Sequence, residues 1–317
     1  MNVFFKELLQ KIIFVSVSLF KVMIPVIILV KIFIEMGGID LIARFLGPPM
    51  ELIGLPPEFS IIWATTMLTN LSAGFLILME MMRTQTFTVE QVTLLATLML
   101  FAHSLPVEAR VAQKAGLRLR VTLVLRIGGG YLLAWILHII YTRYGLLQEP
   151  LVVLWQQDTY DDSLIGWLKS QLIALLMIQL VIILLLFLLK VLKLIGVEKI
   201  MIILLIPFLR LLGIRKEAAT LSIVGITLGL SYGGGLLMNE AAKGHLSRQD
   251  IFASLSLLNL CHSMIDDTLI MLVMGADASA VIWARLIFSI AAIAVLVRII
   301  RWLPDSIWDK YLIRWKW

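Results

Sequence analysis

The sequence predicts an all-α integral membrane protein. The expected plan is an inverted repeat of two five-segment halves, with eight long transmembrane helices plus two short or broken membrane segments and both termini cytoplasmic. Three observations carry that prediction. The 317-residue chain is 61% hydrophobic and only 15% charged, more apolar surface than one soluble core can hide. Long apolar runs recur along it, among them IIFVSVSLFKVMIPVIILV (12–30) and IALLMIQLVIILLLFLL (173–189), close to or at the length that crosses a bilayer. Finally, distinctive residues recur at one fixed offset of 159 positions, the mark of an internal repeat.

Taken in order, the first apolar span, 12–36, follows Lys6 and Lys11. It is too long for the apolar part of a signal peptide and has no small-residue cleavage site, so it reads as the first membrane helix. The next segment, LIARFLGPPMELIGL (41–55), is about fifteen residues with a central proline. As a helix it rises roughly 22 Å against a hydrocarbon core of roughly 30 Å. It is therefore a short or broken crossing, a re-entrant segment or an interfacial helix, and the same holds for IMIILLIPFLRLLGI (200–214). Spans at 59–82, 87–111 and 118–142 complete the first half, and spans at 167–194, 217–241, 248–274 and 279–303 complete the second. Thr88 in FTVEQ and Ser247 in LSRQD stand as helix N-caps. His138 and His245 lie near span ends without counterparts in the other half. Tyr131, Trp135, Tyr141 and Tyr144, with Trp302, Trp308, Trp315 and Trp317, read as interface anchors.

Charge sets the orientation. With a cytoplasmic amino terminus and both short segments crossing, Arg110, Lys114, Arg118, Arg120, Lys190, Lys193 and Lys199 fall inside, as do Lys243, Arg248 and the basic tail. The 143–166 connection, with Glu149, Asp158, Asp161 and Asp162, falls outside. Arg83 and the Arg215-Lys216 pair depart from the rule. The net charge of +6 lies in short loops, so it reports topology and not a nucleic-acid partner. The single cysteine, Cys261, excludes an intrachain disulfide.

The 159-residue offset pairs Gly37 with Gly196, Pro48 with Pro207, Gly54 with Gly213 and Glu58 with Glu217. It also pairs Ser72 with Ser231, Gly74 with Gly233, His103-Ser104 with His262-Ser263, Glu108 with Asp267, and Arg126 with Arg285. The domain reading is a first repeat at 1–142, an extracytoplasmic connecting loop at 143–166 and a second repeat at 167–317. Odd-numbered halves insert upside down relative to each other, as in secondary transporters whose sites form where broken helices meet.

The candidate site lies in HSLPVE (103–108) and HSMIDD (262–267). Ionisable groups in hydrocarbon usually face a bundle interior or a wet cavity. Glu108 follows Ser104 by four residues, and Asp266 follows His262 by four, which places each pair on one face of a continuous helix. The bland alternative is that each histidine only ties helices together. Gly233 and Gly234 in LGLSYGGG permit close packing or an unwound, carbonyl-exposing turn. Arg126, about eight residues into its span, and Arg285, among apolar residues, suit either snorkelling to the interface or a structural or gating ion pair with Glu108 and Asp267.

Glycine- and serine-rich broken helices ending in an acid, followed by a span with HS-x-x-x-acid, resemble the Gate, or nucleoside-recognition, domain. That domain occurs in bacterial spore maturation membrane proteins and in the membrane part of the ferrous iron transporter FeoB. The resemblance covers 54–130 and 213–289, together about half the chain. It implies site residues Asn70, Ser72, Gly74, His103, Ser104 and Glu108 in one copy, and Ser231, Gly233, Gly234, His262, Ser263 and Asp267 in the other. It also implies a multi-pass location in the bacterial inner membrane. No GxxxxGK[ST] stretch occurs, so nucleotide-driven uptake by this chain alone is not expected.

The leading function is a secondary transporter or permease that moves a small solute by alternating access. Proton coupling through His103, Glu108, His262 and Asp267 suits an organic or a metal substrate alike. Divalent metal transport is the less favoured branch, because the methionines around the motifs are also ordinary core filler. The alternative is a non-transporting scaffold or assembly protein. An enzyme is not expected, since adjacent helix residues such as His103 and Ser104 do not face each other. No cofactor is expected. The partners are the lipid bilayer and the unidentified solute or ion, with no nucleic acid; a homodimer is compatible with the sequence but required by no feature of it.

Overall fold

The computed structural model describes residues 2–36, 38–82, 85–152, 163–211, 213–243 and 246–314. These residues form helices and no sheet; their strand-like pairings are two isolated bridges, Thr88 to Pro150 and Leu117 to Ile313. The first half runs α1 (Asn2–Glu35), α2 (Gly38–Glu51), α3 (Phe59–Leu68), α4 (Leu71–Met81), α5 (Val89–Phe101), α6 (Leu105–Lys114), α7 (Leu119–Leu123) and α8 (Gly129–Tyr144), with a π-helical turn at Val124–Gly128 between the last two. The second runs α9 (Leu164–Leu194), α10 (Val197–Leu211), α11 (Lys216–Leu228), α12 (Leu230–Ala242), α13 (Arg248–Leu260), α14 (Asp266–Val273), a π-helical turn at Ser279–Ala284, and α15 (Arg285–Ile300).

This is not the eight-helix inverted repeat that the sequence predicts. Among the described residues, four stretches are long and apolar enough to cross a membrane: Val89–Lys114, Leu119–Tyr144, Gln171–Leu192 and Ser279–Ile300. Their arrangement indicates no inverted repeat, and the placement of both termini on the cytoplasmic face, which depended on ten crossings, falls with it. The physical reason is that the apolar runs hide breaks. Run 59–82 splits into helices of 10 and 11 residues, and run 217–241 into two of 13. Run 248–274 splits into 13 and 8. An eleven-residue helix rises about 16 Å, roughly half the hydrocarbon core.

Each break has an identifiable cause. Between α3 and α4, Asn70 accepts a hydrogen bond from Ala73 N at 2.9 Å and caps α4. Thr66 and Thr69 bond back to the carbonyls four residues earlier, which bends a helix. At the matching place Gly229 uses φ +100°, a conformation only glycine takes freely. The α5–α6 and α13–α14 breaks turn on Ser104 and Ser263, both at φ +48°. These breaks are tied to the first pair. Ser104 donates through Oγ to Thr69 O at 2.7 Å and through N to Thr66 O at 3.1 Å, and Met264 N donates to Ile226 O at 2.8 Å. The exposed carbonyls of one broken helix are thus satisfied by the bend of another.

One hydrophobic core spans both halves, with Phe101, Phe252, Leu258 and Leu260 buried at its centre. Glycines let the broken pairs approach closely. A Cβ on Gly233 would stand 2.5 Å from Gly225 Cα, and one on Gly130 would stand 2.7 Å from Phe101 Cβ. By contrast α9 exposes Leu168, Leu172, Leu176, Leu180 and Leu184 along one face, a four-residue stripe suited to lipid. The chain is an integral membrane protein. Two of the aromatic residues read as interface anchors are instead inside: Trp308 is buried and donates to Ile300 O, and Tyr141 is buried against Ser279.

Candidate functional site

The two helix-breaking turns place two histidines against each other. His103 and His262 are 5% and 1% exposed, and their Nε2 atoms lie 3.3 Å apart. Each ring's other nitrogen faces a backbone carbonyl: His103 Nδ1 to Met99 O at 3.0 Å, and His262 Nδ1 to Leu258 O at 2.8 Å. A carbonyl only accepts, so each Nδ1 carries its hydrogen. In a neutral ring, Nε2 is then a bare lone pair.

Two carboxylates complete the cluster. Glu108 Oε1 is 3.5 Å from His103 Nε2, and Glu108 Oε2 is 3.2 Å from His262 Nε2. Asp267 Oδ2 is 3.4 Å from His103 Nε2 and has no hydrogen-bond partner. Two fully buried arginines frame these groups. Arg126 donates from Nε to Phe101 O at 2.7 Å, from Nη2 to His103 O at 2.9 Å, and from Nη1 to Glu108. Arg285 repeats part of this, donating from Nη2 to His262 O at 2.7 Å and weakly from Nε to Leu260 O at 3.4 Å. Its Nη1 has no partner, and it forms no ion pair with Asp267. The first half is closed by an arginine–carboxylate salt bridge, and Arg285 and Asp267 form none between them.

Residues 16–118 match the Gate family, described as nucleoside recognition. The match lies in the first half, covers about a third of the chain, and includes His103, Ser104 and Glu108 but not Arg126. The second Gate-like copy, expected over 213–289, and the link to the ferrous iron transporter gain no support from it. The chain is also 27% identical over 305 residues to "Uncharacterized membrane protein YvoD" of Bacillus subtilis (strain 168), covering 92% of this chain and 93% of the relative. No solved structure matches. With the long apolar helices, these similarities make the chain a multi-pass protein of the bacterial inner membrane. The Gate match and the all-helical fold are consistent with a recognition or transport protein.

The structure brings His103, Glu108, His262, Asp267 and Arg126 together. Asn70, Ser104 and Ser263 sit at the helix breaks, and Gly74, Gly233 and Gly234 sit in helix contacts. Ser72 is buried in α4 and, among the described residues, makes no hydrogen bond or ion pair to the histidines. For Ser231 only the backbone, in α12, is described. Asp266 is exposed at the start of α14, because the break at 261–265 removes the helical register that aligned it with His262.

Sequence reasoning missed a second polar knot. Glu90 is buried and accepts from Gln148 Nε2 at 2.6 Å, and His138 Nδ1 lies 2.9 Å from it. Two polar residues near the ends of the apolar spans 87–111 and 118–142 were the available signal. His245 lies outside the described residues. Asn259 Oδ1 and Thr268 Oγ1, both buried, also lack partners; the matching positions of the first half hold Leu100 and Ala109.

Proposed function

We propose that this chain is a secondary transporter or permease of the bacterial inner membrane, moving a small solute or ion by alternating access. The cluster of His103, Glu108, His262 and Asp267 is its binding and coupling site. One observation carries the reading: two Nε2 lone pairs, fixed by their Nδ1–carbonyl bonds, face each other at 3.3 Å beside two carboxylates in a buried place. Such convergent acceptors cost free energy unless a cation or a donor group sits among them. Residues 1–142 and 167–317 act as two units joined by 143–166. Each supplies one histidine and one carboxylate, so whatever binds there bridges the units, and parting them exposes it. The helix breaks at Ser104 and Ser263 are the natural places for that motion.

The close burial of both histidines favours a second reading, a membrane scaffold whose cluster pins the two units. Two open pockets, of 410 Å³ beside Leu105 and Leu123 and of 350 Å³ beside Glu217 and Glu240, include neither histidine in their walls. Reconstitution in proteoliposomes separates the readings. The probe is radiolabelled uridine, chosen from the Gate description, with entrapped pyranine to report accompanying proton movement. Transport predicts uptake that His103→Ala and His262→Ala abolish. Uptake at the parental rate in both variants refutes the site, and no flux by the parent under either gradient leaves the scaffold.

A further inference from the structure

We infer that the cluster is a divalent transition-metal site, with His103 Nε2, His262 Nε2 and an Asp267 carboxylate oxygen as ligands and a fourth position open. As a statement of what the protein carries, this rests on the transport reading; as a binding site it stands on the geometry alone. Zinc-type bonds of about 2.0–2.2 Å to nitrogen and oxygen at a tetrahedral angle put neighbouring ligand atoms about 3.3–3.5 Å apart. The histidine nitrogens are 3.3 Å apart, and His103 Nε2 is 3.4 Å from Asp267 Oδ2. One ligand atom from each of the three residues lies within 4.8 Å of the others. These are edges of a coordination polyhedron already drawn together, not distances that need a large rearrangement.

The surroundings suit ligation too. Metal-binding histidines usually commit their second nitrogen to a carbonyl or carboxylate, which sets the tautomer and aims the ring. Both rings do this through Nδ1. Asp267 Oδ2 accepts no hydrogen bond and is not taken by Arg285, so it is free to bind. Glu108 is already held by Arg126 while facing both Nε2 atoms, which makes it an outer partner of the site.

The donor set narrows the ion. Two imidazoles and one carboxylate suit Zn²⁺, Fe²⁺ or Mn²⁺. They do not suit Mg²⁺ or Ca²⁺, which take all-oxygen shells, nor Cu⁺, which favours sulfur. A three-ligand site with an open position exchanges its ion more readily than a closed four-ligand one. Arg285, buried beside it with Nη1 unpaired, opposes the ion's charge. Both features fit an ion that must leave again.

The test uses the full chain, purified in detergent, stripped with a chelator and titrated with Co²⁺. The expected result is one Co²⁺ per chain with the intense visible bands of a four-coordinate ion, displaced by Zn²⁺. His103→Gln and His262→Gln, which keep a polar side chain of similar size, should abolish those bands. Asp267→Asn should weaken binding by more than tenfold, and Glu108→Gln by about 10–100-fold as an outer partner. No binding by the parent chain, or unchanged binding in the double His→Gln variant, overturns the inference. If the parent binds no metal yet shows histidine-dependent uridine uptake, the metal site is refuted and the transport reading stands. Stoichiometric binding without flux of any kind supports the metal site and removes the transport reading.

Discussion

Arg126 and Arg285 occupy matching positions, yet their replacement by methionine should have unequal effects. Arg126 is fully buried and makes three hydrogen bonds, one to the Glu108 carboxylate. Removing it strands a buried carboxylate, and breaking a buried pair in this way costs about 3–5 kcal/mol. Arg285 makes one good bond and one long one, engages no carboxylate, and leaves Nη1 unsatisfied. Its loss should cost about 1–2 kcal/mol, the price of one stranded carbonyl less the relief of one unpaired donor. At roughly 2 °C per kcal/mol for a chain of this size, Arg126→Met should lower the unfolding midpoint by about 6–10 °C and Arg285→Met by about 2–4 °C. Tryptophan fluorescence on heating in detergent reads both, as a ranking, because membrane-protein unfolding is often irreversible. Adding Glu108→Gln to Arg126→Met should recover part of the loss, since removing both partners of a buried pair is far milder than removing one. Equal midpoints for the two methionine variants, or a lower one for Arg285→Met, would refute the claim that the salt bridge closes only the first half.

Three further outcomes follow from the packing. Gly233→Ala should destabilise by about 1–3 kcal/mol, because its Cβ would meet backbone at Gly225 that cannot yield, whereas Gly235→Ala has open space and should be neutral or slightly stabilising in the same thermal assay. His138→Ala should strip a partner from buried Glu90 and cost about 1–3 kcal/mol. Hydrogen exchange should then accelerate over 145–152, which Glu90 anchors through Gln148 and its own backbone N–H to Leu147 O. Ser104→Gly should be milder than Ser104→Ala by about 1 kcal/mol in unfolding midpoint, since both lose the bond to Thr69 O but only glycine relieves φ +48°.

The histidine pair shows what the sequence could and could not convey. That His103 and His262 sit in matching motifs was legible from the constant offset of their neighbours. That they touch was not, because a continuous-helix reading set each beside its own local acid. The α13–α14 turn has neither glycine nor proline between residues 261 and 265. It is held by Met264 N on Ile226 O, a tertiary bond with no local signature. Once the helix stops there, Asp267 and not Asp266 faces His103. The α3–α4 break was more readable: Asn70 among apolar residues is an N-cap signal, overlooked because the run is long enough to pass for one span. The Glu90–His138 knot lay beyond repeat logic, since neither residue has an equivalent in the second half: offset by 159 they meet Gln249 and Val297.

The differences between the halves say more about chemistry than their likeness does. Where the first half has Leu100 and Ala109, the second has Asn259 and Thr268, buried with side-chain oxygens unsatisfied. Where the first half pairs Arg126 with Glu108, the second leaves Arg285 Nη1 and Asp267 Oδ2 unengaged. Unsatisfied buried polar atoms are costly and few in folded proteins, and their gathering in one place calls for a physical reason. Among the described residues, six of the eleven such side-chain atoms lie along α13, α14 and the first residue of α15, Asp267 Oδ2 and Arg285 Nη1 among them, and four lie in the first half, on Ser16, Trp63, Arg118 and Thr122. The division of labour follows: the first half supplies a braced wall of His103, Glu108 and Arg126, and the second supplies the polar atoms still able to take a ligand. Substitution of Arg126, which braces the wall without facing the ligand, should therefore register first as lost stability. Substitutions at Asn259, Asp267 and Thr268 should register first as lost binding, with little change in the unfolding midpoint.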